Sequence, residues 1–168
     1  MATMNSSSDG LILTTYNWHR DGHGVALAIV IQTWGSSPRP VGSIMVVRDD
    51  MAVEGSVSGG CVEGAVIDAA LDSISSGGGQ RLDFGVADAR AWEVGLSCGG
   101  RIAVLVTPVA ATGLPPEVLS ALAGDIGSRR PSTLGVDAKT GAVQDVAKVD
   151  NGEYTFLSDD EASFILRQ

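Results

Sequence analysis

The sequence predicts a single domain of the α/β or α+β class, with a mixed β-sheet flanked by helices and glycine-rich loops at strand ends. Segments of strand and helix character alternate along all 168 residues, with no change of composition that divides them. Residues 25–34 form an almost wholly apolar, β-branched run, which is typical of a buried strand. Apolar residues recur at helical spacing in 62–74 and 118–126. We therefore expect one domain over 11–168, preceded by a flexible tail at 1–10.

The remaining elements follow from local signals. Asp9 is expected to cap a short amphipathic helix that ends near Gly22. Two hairpins are predicted, and in each the paired segments are separated by a short turn: 44–48 with 52–57, and 132–136 with 142–146. Further strands are predicted at 81–84, 102–107 and 154–157.

Charge and composition restrict the possible partners. The formal net charge of −9 disfavours nucleic acid and acidic membrane surfaces. No apolar run reaches transmembrane length, and the first residues lack the pattern of a secretory signal. With two cysteines and no export signal, we expect a cytoplasmic protein whose thiols are reduced. A small anionic ligand remains compatible, because backbone N–H groups and a few arginines can hold phosphate on an acidic protein.

Cys61 is the first candidate site residue. It follows Gly59 and Gly60 at a predicted strand–turn–helix junction, which would place it in the first turn of a helix. The unpaired N–H groups at a helix start attract anions and favour a thiolate. Glu63 opposes this effect unless its carboxylate folds back onto the backbone as a cap. The alternative is a purely structural turn with a small buried cysteine.

Two other segments carry groups suited to an anionic ligand. The loop 35–42 is stiffened by two prolines and presents two hydroxyls and a guanidinium, those of Ser36, Ser37 and Arg39. The alternative is a stiff connection whose arginine faces water. Cys98 lies in a second glycine-rich loop, 97–100, just before the strand 102–107. In α/β sheets, ligand sites tend to form at such strand ends.

Three segments in this order resemble the XdhC/CoxI family of molybdenum-hydroxylase maturation proteins. They read GSSPRPVGSIM (35–45), GSVSGGCVEG (55–64) and WEVGLSCGG (92–100). The similarity extends from about Leu11 to at least Val109. Many members also carry a dinucleotide-binding-like domain. Because no strand followed by G-x-G-x-x-G occurs here, we expect only the first domain and no C-terminal Rossmann-like domain.

The resemblance implies that the chain binds molybdenum cofactor, as molybdopterin or its dinucleotide form. It further implies protection of the cofactor while a terminal oxo ligand is exchanged for sulfur, and delivery to an apoenzyme of the xanthine dehydrogenase or CO dehydrogenase type. Cys61 and Cys98 would contact the cofactor or handle sulfur. The residues implied in cofactor binding belong to the three loops: Ser36, Ser37, Arg39, Ser58, Gly59, Gly60, Cys61, Glu63, Ser97, Cys98, Gly99 and Gly100.

The same resemblance suggests several partners, and some alternatives stay open. A cysteine desulfurase, a separate Rossmann-domain chain and a second copy of this chain are the candidate partners besides the apoenzyme. A cofactor-binding chaperone is favoured over a catalyst. The alternatives are a thiol-dependent sulfurtransferase or oxidoreductase, and a structural subunit that docks a nucleotide-binding chain. A zinc protein is poorly supported, because neither cysteine has a second ligand beside it.

Overall fold

The computed structural model describes residues 7–37, 39–85, 100–145, 154–156 and 162–167. Within these ranges the chain forms three helices and nine strands, in the order α1 (Ser8–Arg20), β1 (Val25–Trp34), β2 (Ile44–Arg48), β3 (Val53–Gly55), α2 (Glu63–Ser76), β4 (Gln80–Phe84), β5 (Arg101–Pro108), α3 (Pro116–Gly127), β6 (Ser132–Asp137), β7 (Val143–Asp145), β8 (Tyr154–Phe156) and β9 (Ala162–Arg167).

The strands form two sheets where the sequence predicted one. The larger sheet has the order β3-β2-β1-β5-β4, and all its neighbours are antiparallel. The smaller has the order β7-β6-β9-β8 and is mixed, because β6 and β9 run parallel. The predicted class, a single domain that combines helices and sheets, is confirmed. The larger sheet is antiparallel throughout, and the predicted mixed pairing occurs in the smaller sheet.

The central strand β1 is apolar from Val25 to Ile31 because both of its faces are covered there. Its odd-numbered residues, from Val25 to Ile31, pack in a cluster with α1 and α3. Its even-numbered residues pack in a second cluster beneath α2. Two of these, Ala26 and Ala28, are small and completely buried, which suits close packing of a helix on the strand.

The helix starts differ from the predicted ones. Ser7 caps α1, since its hydroxyl accepts a hydrogen bond from the Gly10 N–H at 3.2 Å. The predicted cap Asp9 lies in the first turn instead, and residues 8–10 of the predicted tail are helical. Helix α2 begins at Glu63 with Val62 as N-cap, so the prediction of Cys61 in the first helical turn is wrong. The apolar periodicity extends back to Val62 because that side chain is buried in the core.

One end of the larger sheet collects the loops 35–43 and 56–62 and Gly100, the described residue of the third glycine-rich segment. Because neighbouring strands are antiparallel, β1, β3 and β4 end there, and β2 and β5 begin there. The loop 35–43 follows β1, the loop 56–62 follows β3, and Gly100 directly precedes β5. We call this edge the glycine-loop end of the sheet.

Two of these segments are in direct backbone contact. A Cβ atom on Gly100 would overlap the carbonyl oxygen of Ser36 and come within 3.1 Å of the Trp34 carbonyl oxygen. Gly85, at the end of β4, has φ +100° and packs in the same way against the carbonyl of Gly100. Glycine at position 100 therefore sets how closely the Ser36 loop approaches the start of β5.

This contact predicts a large cost for Gly100→Ala. The added methyl group meets backbone atoms, which cannot rotate away, so we expect the free energy of unfolding to fall by about 1–3 kcal/mol. The matched control is Gly64→Ala in α2, where a Cβ has no atom within 4 Å. We expect that change to be neutral or to stabilise the protein by up to about 1 kcal/mol. Urea unfolding of both variants measures the difference, and equal stabilities would contradict the proposed contact.

Candidate functional site

The carboxylate of Glu63 lies inside the loop 56–62. Its Oε1 accepts hydrogen bonds from the Ser56 hydroxyl at 2.8 Å and the Ser58 N–H at 3.0 Å. Its Oε2 accepts from the Ser58 hydroxyl at 2.5 Å and the Gly60 N–H at 2.8 Å. Burial acts to raise the pKa of this carboxyl, but the hydrogen bonds from Ser58 and Ser56 outweigh it and lower the pKa to about 2.

The same loop satisfies its other N–H groups internally. The Gly59 N–H donates to the Ser56 hydroxyl at 2.9 Å. The N–H groups of Cys61 and Val62 both donate to the Ser58 hydroxyl, at 3.0 and 3.1 Å. Five successive N–H groups, those of residues 58–62, therefore point at side chains of the loop itself. Glu63 folds back as a cap, the case that the sequence analysis left open.

Because the loop is closed, its N–H groups are not available to an external anion. The Ser58 side chain is buried, whereas Gly59 and Gly60 are exposed. A phosphate that used the N–H groups of this loop would have to displace the Glu63 carboxylate, which is ionised at neutral pH. The cofactor-binding roles of Ser58, Gly59 and Gly60 stay a prediction, and the geometry favours a supporting role for these residues.

Cys61 lies at the C-terminal end of this closed loop, directly before the N-cap Val62. It is half-buried, and its side chain packs against the apolar cluster beneath α2. It stands between the exposed Gly60 and the fully buried Val62. The loop thus holds Cys61 at the glycine-loop end with one side on the core.

The second predicted loop, 35–42, is anchored to β1 at its base. The Gly42 N–H donates to the Val30 carbonyl at 2.8 Å, and the Val30 N–H donates to the Ser43 carbonyl at 2.9 Å. Within the loop, the Ser37 hydroxyl donates to the Arg39 carbonyl at 2.8 Å, while Ser36 is exposed. The Nε atom of Arg39 is buried and has no hydrogen-bond partner among the residues that the structure describes. A half-buried guanidinium that lacks one partner is a natural position for an oxygen ligand.

The described site residues predicted from sequence all lie at the glycine-loop end of the sheet: Ser36, Ser37, Arg39, Ser58, Gly59, Gly60, Cys61, Glu63 and Gly100. Ser97, Cys98 and Gly99 lie outside the described residues. Whether Cys98 approaches Cys61 stays a prediction.

Two residues at this end were not selected from the sequence. Trp34 ends β1, and Arg101 begins β5 directly opposite it in the ladder. Both are exposed. Their proximity depends on the pairing of distant strands, and the only sequence signal is that each adjoins a glycine-rich segment.

The described ranges contain neither a metal-ligand cluster nor a helix that could span a membrane. There, no group of three or more His, Cys, Asp or Glu side chains could hold a metal ion. Among the same residues, no helix has the length and apolar character needed to cross a membrane.

Both described loops lie in a segment that is similar to a known protein family. Residues 18–85 match the sequence profile of the XdhC and CoxI family. The matched segment is less than half of the chain. It contains the loop 35–42, Cys61 and Glu63, so the closed loop described above lies within the match.

Two similar proteins extend this comparison. Over 82 residues the chain is 39% identical to the molybdenum cofactor insertion chaperone PaoD of Escherichia coli K12, which corresponds to 48% of this chain and 25% of PaoD. The chain thus spans a quarter of the length of that curated relative. A crystal structure described as a xanthine dehydrogenase from Bacillus halodurans shares the fold. Its TM-score is 0.57 at 24% identity, over 73% of this chain and 35% of the other.

The hydrogen bonds of Glu63 predict a pH-dependent contribution to stability. Glu63→Gln places an NH₂ group among donors, so we expect the free energy of unfolding to fall by roughly 1–3 kcal/mol at neutral pH. The folded pKa is about 2, below the ordinary 4.5. As the pH falls, the Glu63 carboxyl is therefore protonated at a higher pH in the unfolded chain than in the folded one. The advantage of the wild type over the variant is complete above about pH 4.5 and is lost as the pH falls towards 2.

Denaturant unfolding at several pH values, with wild type and variant compared at each, measures this advantage. The exposed Glu117 on α3 offers a control, since Glu117→Gln should change stability by no more than about 0.5 kcal/mol. A wild-type advantage that stayed constant from pH 7 to pH 2.5 would show that the Glu63 charge does not hold the loop.

Proposed function

We propose that this chain binds molybdenum cofactor at the glycine-loop end of its larger sheet and takes part in inserting it into a molybdenum enzyme. The family segment 18–85 and the relative PaoD, named as a molybdenum cofactor insertion chaperone, support the proposal. The structural observation that carries it is Cys61, held by the closed loop at the same end as the buried, unpartnered Nε of Arg39.

The residues at this end fit such a cargo in two ways. A cysteine sulfur is a soft ligand, which suits molybdenum or a transferable sulfur atom. The Arg39 guanidinium and the exposed Ser36 hydroxyl can bind the oxygens of a phosphate. The N–H groups of residues 58–62 fit less well, because they already donate within the loop.

The proposal also includes sulfuration of the cofactor, the recipient enzyme, the partner proteins and the cellular location. The chain would protect the cofactor during its sulfuration, with a cysteine desulfurase as the source of sulfur. The recipient would be an apoenzyme of the xanthine dehydrogenase or CO dehydrogenase type. A Rossmann-domain companion chain, a homodimer and a cytoplasmic location complete the expectation. Each of these would be examined only after cofactor binding is established.

The test is binding of molybdenum cofactor, released anaerobically from a purified molybdenum enzyme, to the full chain. We expect saturable binding by the wild type, weakened about tenfold or more in Cys61→Ser, which corresponds to at least about 1.4 kcal/mol. Cys98→Ser measures the contribution of the other thiol. Met51→Ala, an exposed change in the β2–β3 turn at the opposite end of the sheet, is the matched control and should bind normally.

Three outcomes would favour a different function. Absence of binding by the wild type, with PaoD binding in the same assay, would contradict the proposal. Turnover of a sulfur donor without any acceptor enzyme would indicate a sulfurtransferase. Unchanged activation of the target enzyme by a chain without either cysteine would indicate a docking subunit.

A further inference from the structure

Trp34 and Arg101 form an exposed aromatic–cationic pair on one face of the larger sheet. They are direct partners in the antiparallel ladder of β1 and β5, so their side chains lie on the same face with Cβ atoms about 4.5–5.5 Å apart. Trp34 is 43% exposed, and Arg101 is exposed as well. An indole left this open at the end of an otherwise buried strand presents a flat apolar surface to solvent.

The ladder shows which face of the sheet carries the pair. Arg101 lies two residues from Ala103, which belongs to the cluster packed against α1 and α3. Side chains two residues apart in a strand share a face. Trp34 and Arg101 therefore lie on the α1/α3 face. Cys61 packs in the cluster of the opposite face, beneath α2.

The charge of Arg101 is not neutralised within the part of the chain that the structure describes. Four other arginines there each form an ion pair with an aspartate: Arg20, Arg48, Arg81 and Arg130. Arg39, Arg101 and Arg129 form no ion pair with a described residue, and Arg129 lies away from this site, after α3. In a chain of net charge −9, Arg39 and Arg101 both lie at the glycine-loop end.

The backbone fixes this pair beside the loop 35–42. Trp34 is followed directly by Gly35 and Ser36, and the Ser36 carbonyl packs on Gly100, the residue before Arg101. The aromatic face, the guanidinium of Arg101 and the exposed Ser36 thus belong to one small area. Because the N–H groups of residues 58–62 already donate to Glu63 and to side chains of the loop, Arg39 and Arg101 are the better hydrogen-bond donors for an anionic group.

We propose that Trp34 and Arg101 form a ligand subsite, in which a flat heteroaromatic ring stacks on the indole and an attached phosphate binds the guanidinium. Aromatic side chains stack readily on heterocyclic rings, and arginine binds phosphate through two parallel N–H···O bonds. The inference rests on the proposed function, because the pterin ring and phosphate of molybdenum cofactor have this chemistry. It adds a part of the site that none of the three glycine-rich motifs contains.

The test compares variants of the full chain with two probes, molybdopterin and a pterin that lacks a phosphate group. We expect Trp34→Leu to weaken molybdopterin binding roughly 5- to 150-fold, the range found for loss of ring stacking. Trp34→Phe should recover much of this loss. Arg101→Gln should weaken molybdopterin binding roughly tenfold, with recovery in Arg101→Lys. Arg20→Gln and Met51→Ala serve as surface controls without effect.

The phosphate-free pterin separates stacking from a structural role. Its affinity should fall in Trp34→Leu and stay within about twofold of the wild type in Arg101→Gln. A general loss of structure would lower both affinities in both variants and would appear as a lower melting temperature. Inorganic phosphate should compete with molybdopterin in the wild type and lose this effect in Arg101→Gln.

The outcomes distinguish the two proposals. If the wild type binds molybdopterin and Trp34→Leu and Arg101→Gln bind it equally well, the subsite is wrong and the proposed function stands. If the wild type binds neither probe, both proposals are contradicted.

Discussion

The Glu63 carboxylate accepts four hydrogen bonds from the loop that precedes its own helix. Ser58 links this carboxylate to the helix start, since its hydroxyl donates to Glu63 and accepts from the N–H groups of Cys61 and Val62. A loop rich in glycine has many accessible conformations when unfolded, and these internal bonds select one of them. The position of Cys61 depends on that selection, because residues on both sides of it take part.

The antiparallel arrangement of the larger sheet explains why separate loops meet. In a parallel sheet, each strand would end at one edge, and a long crossover would carry the chain back to the opposite edge before the next strand begins. Here β1 and β2 are joined by the loop 35–43, and β3 leads directly into 56–62 at the same edge. Gly100 then approaches the Ser36 backbone at a distance that a larger residue does not permit. The candidate site is thus a consequence of hairpin connections and one close glycine contact.

Strong local patterns were predictable from the sequence, and pairings between distant residues were not. The bounds of β1 and β2 agree with the prediction because an apolar, β-branched run bounded by turn residues has few alternatives. The division into two sheets depends on the parallel pairing of β6 with β9, which no local signal reveals. The sequence predicts Cys61 in the helix because the buried Val62 continues the apolar period of α2. In the structure Val62 is the N-cap, so it is buried although it precedes the helix. Trp34 and Arg101 became neighbours only through the register of β1 and β5.

The central claim is that the loop 56–62 is closed by Glu63 in the free protein and that ligands bind beside it. Amide hydrogen exchange, followed residue by residue by NMR, tests this most directly. The account predicts slow exchange for the amides of residues 58–62 without any ligand, and new protection at 35–37 and 100–101 when molybdopterin is added. Fast exchange at 58–62 in the free protein, with protection there only after molybdopterin is added, would contradict it.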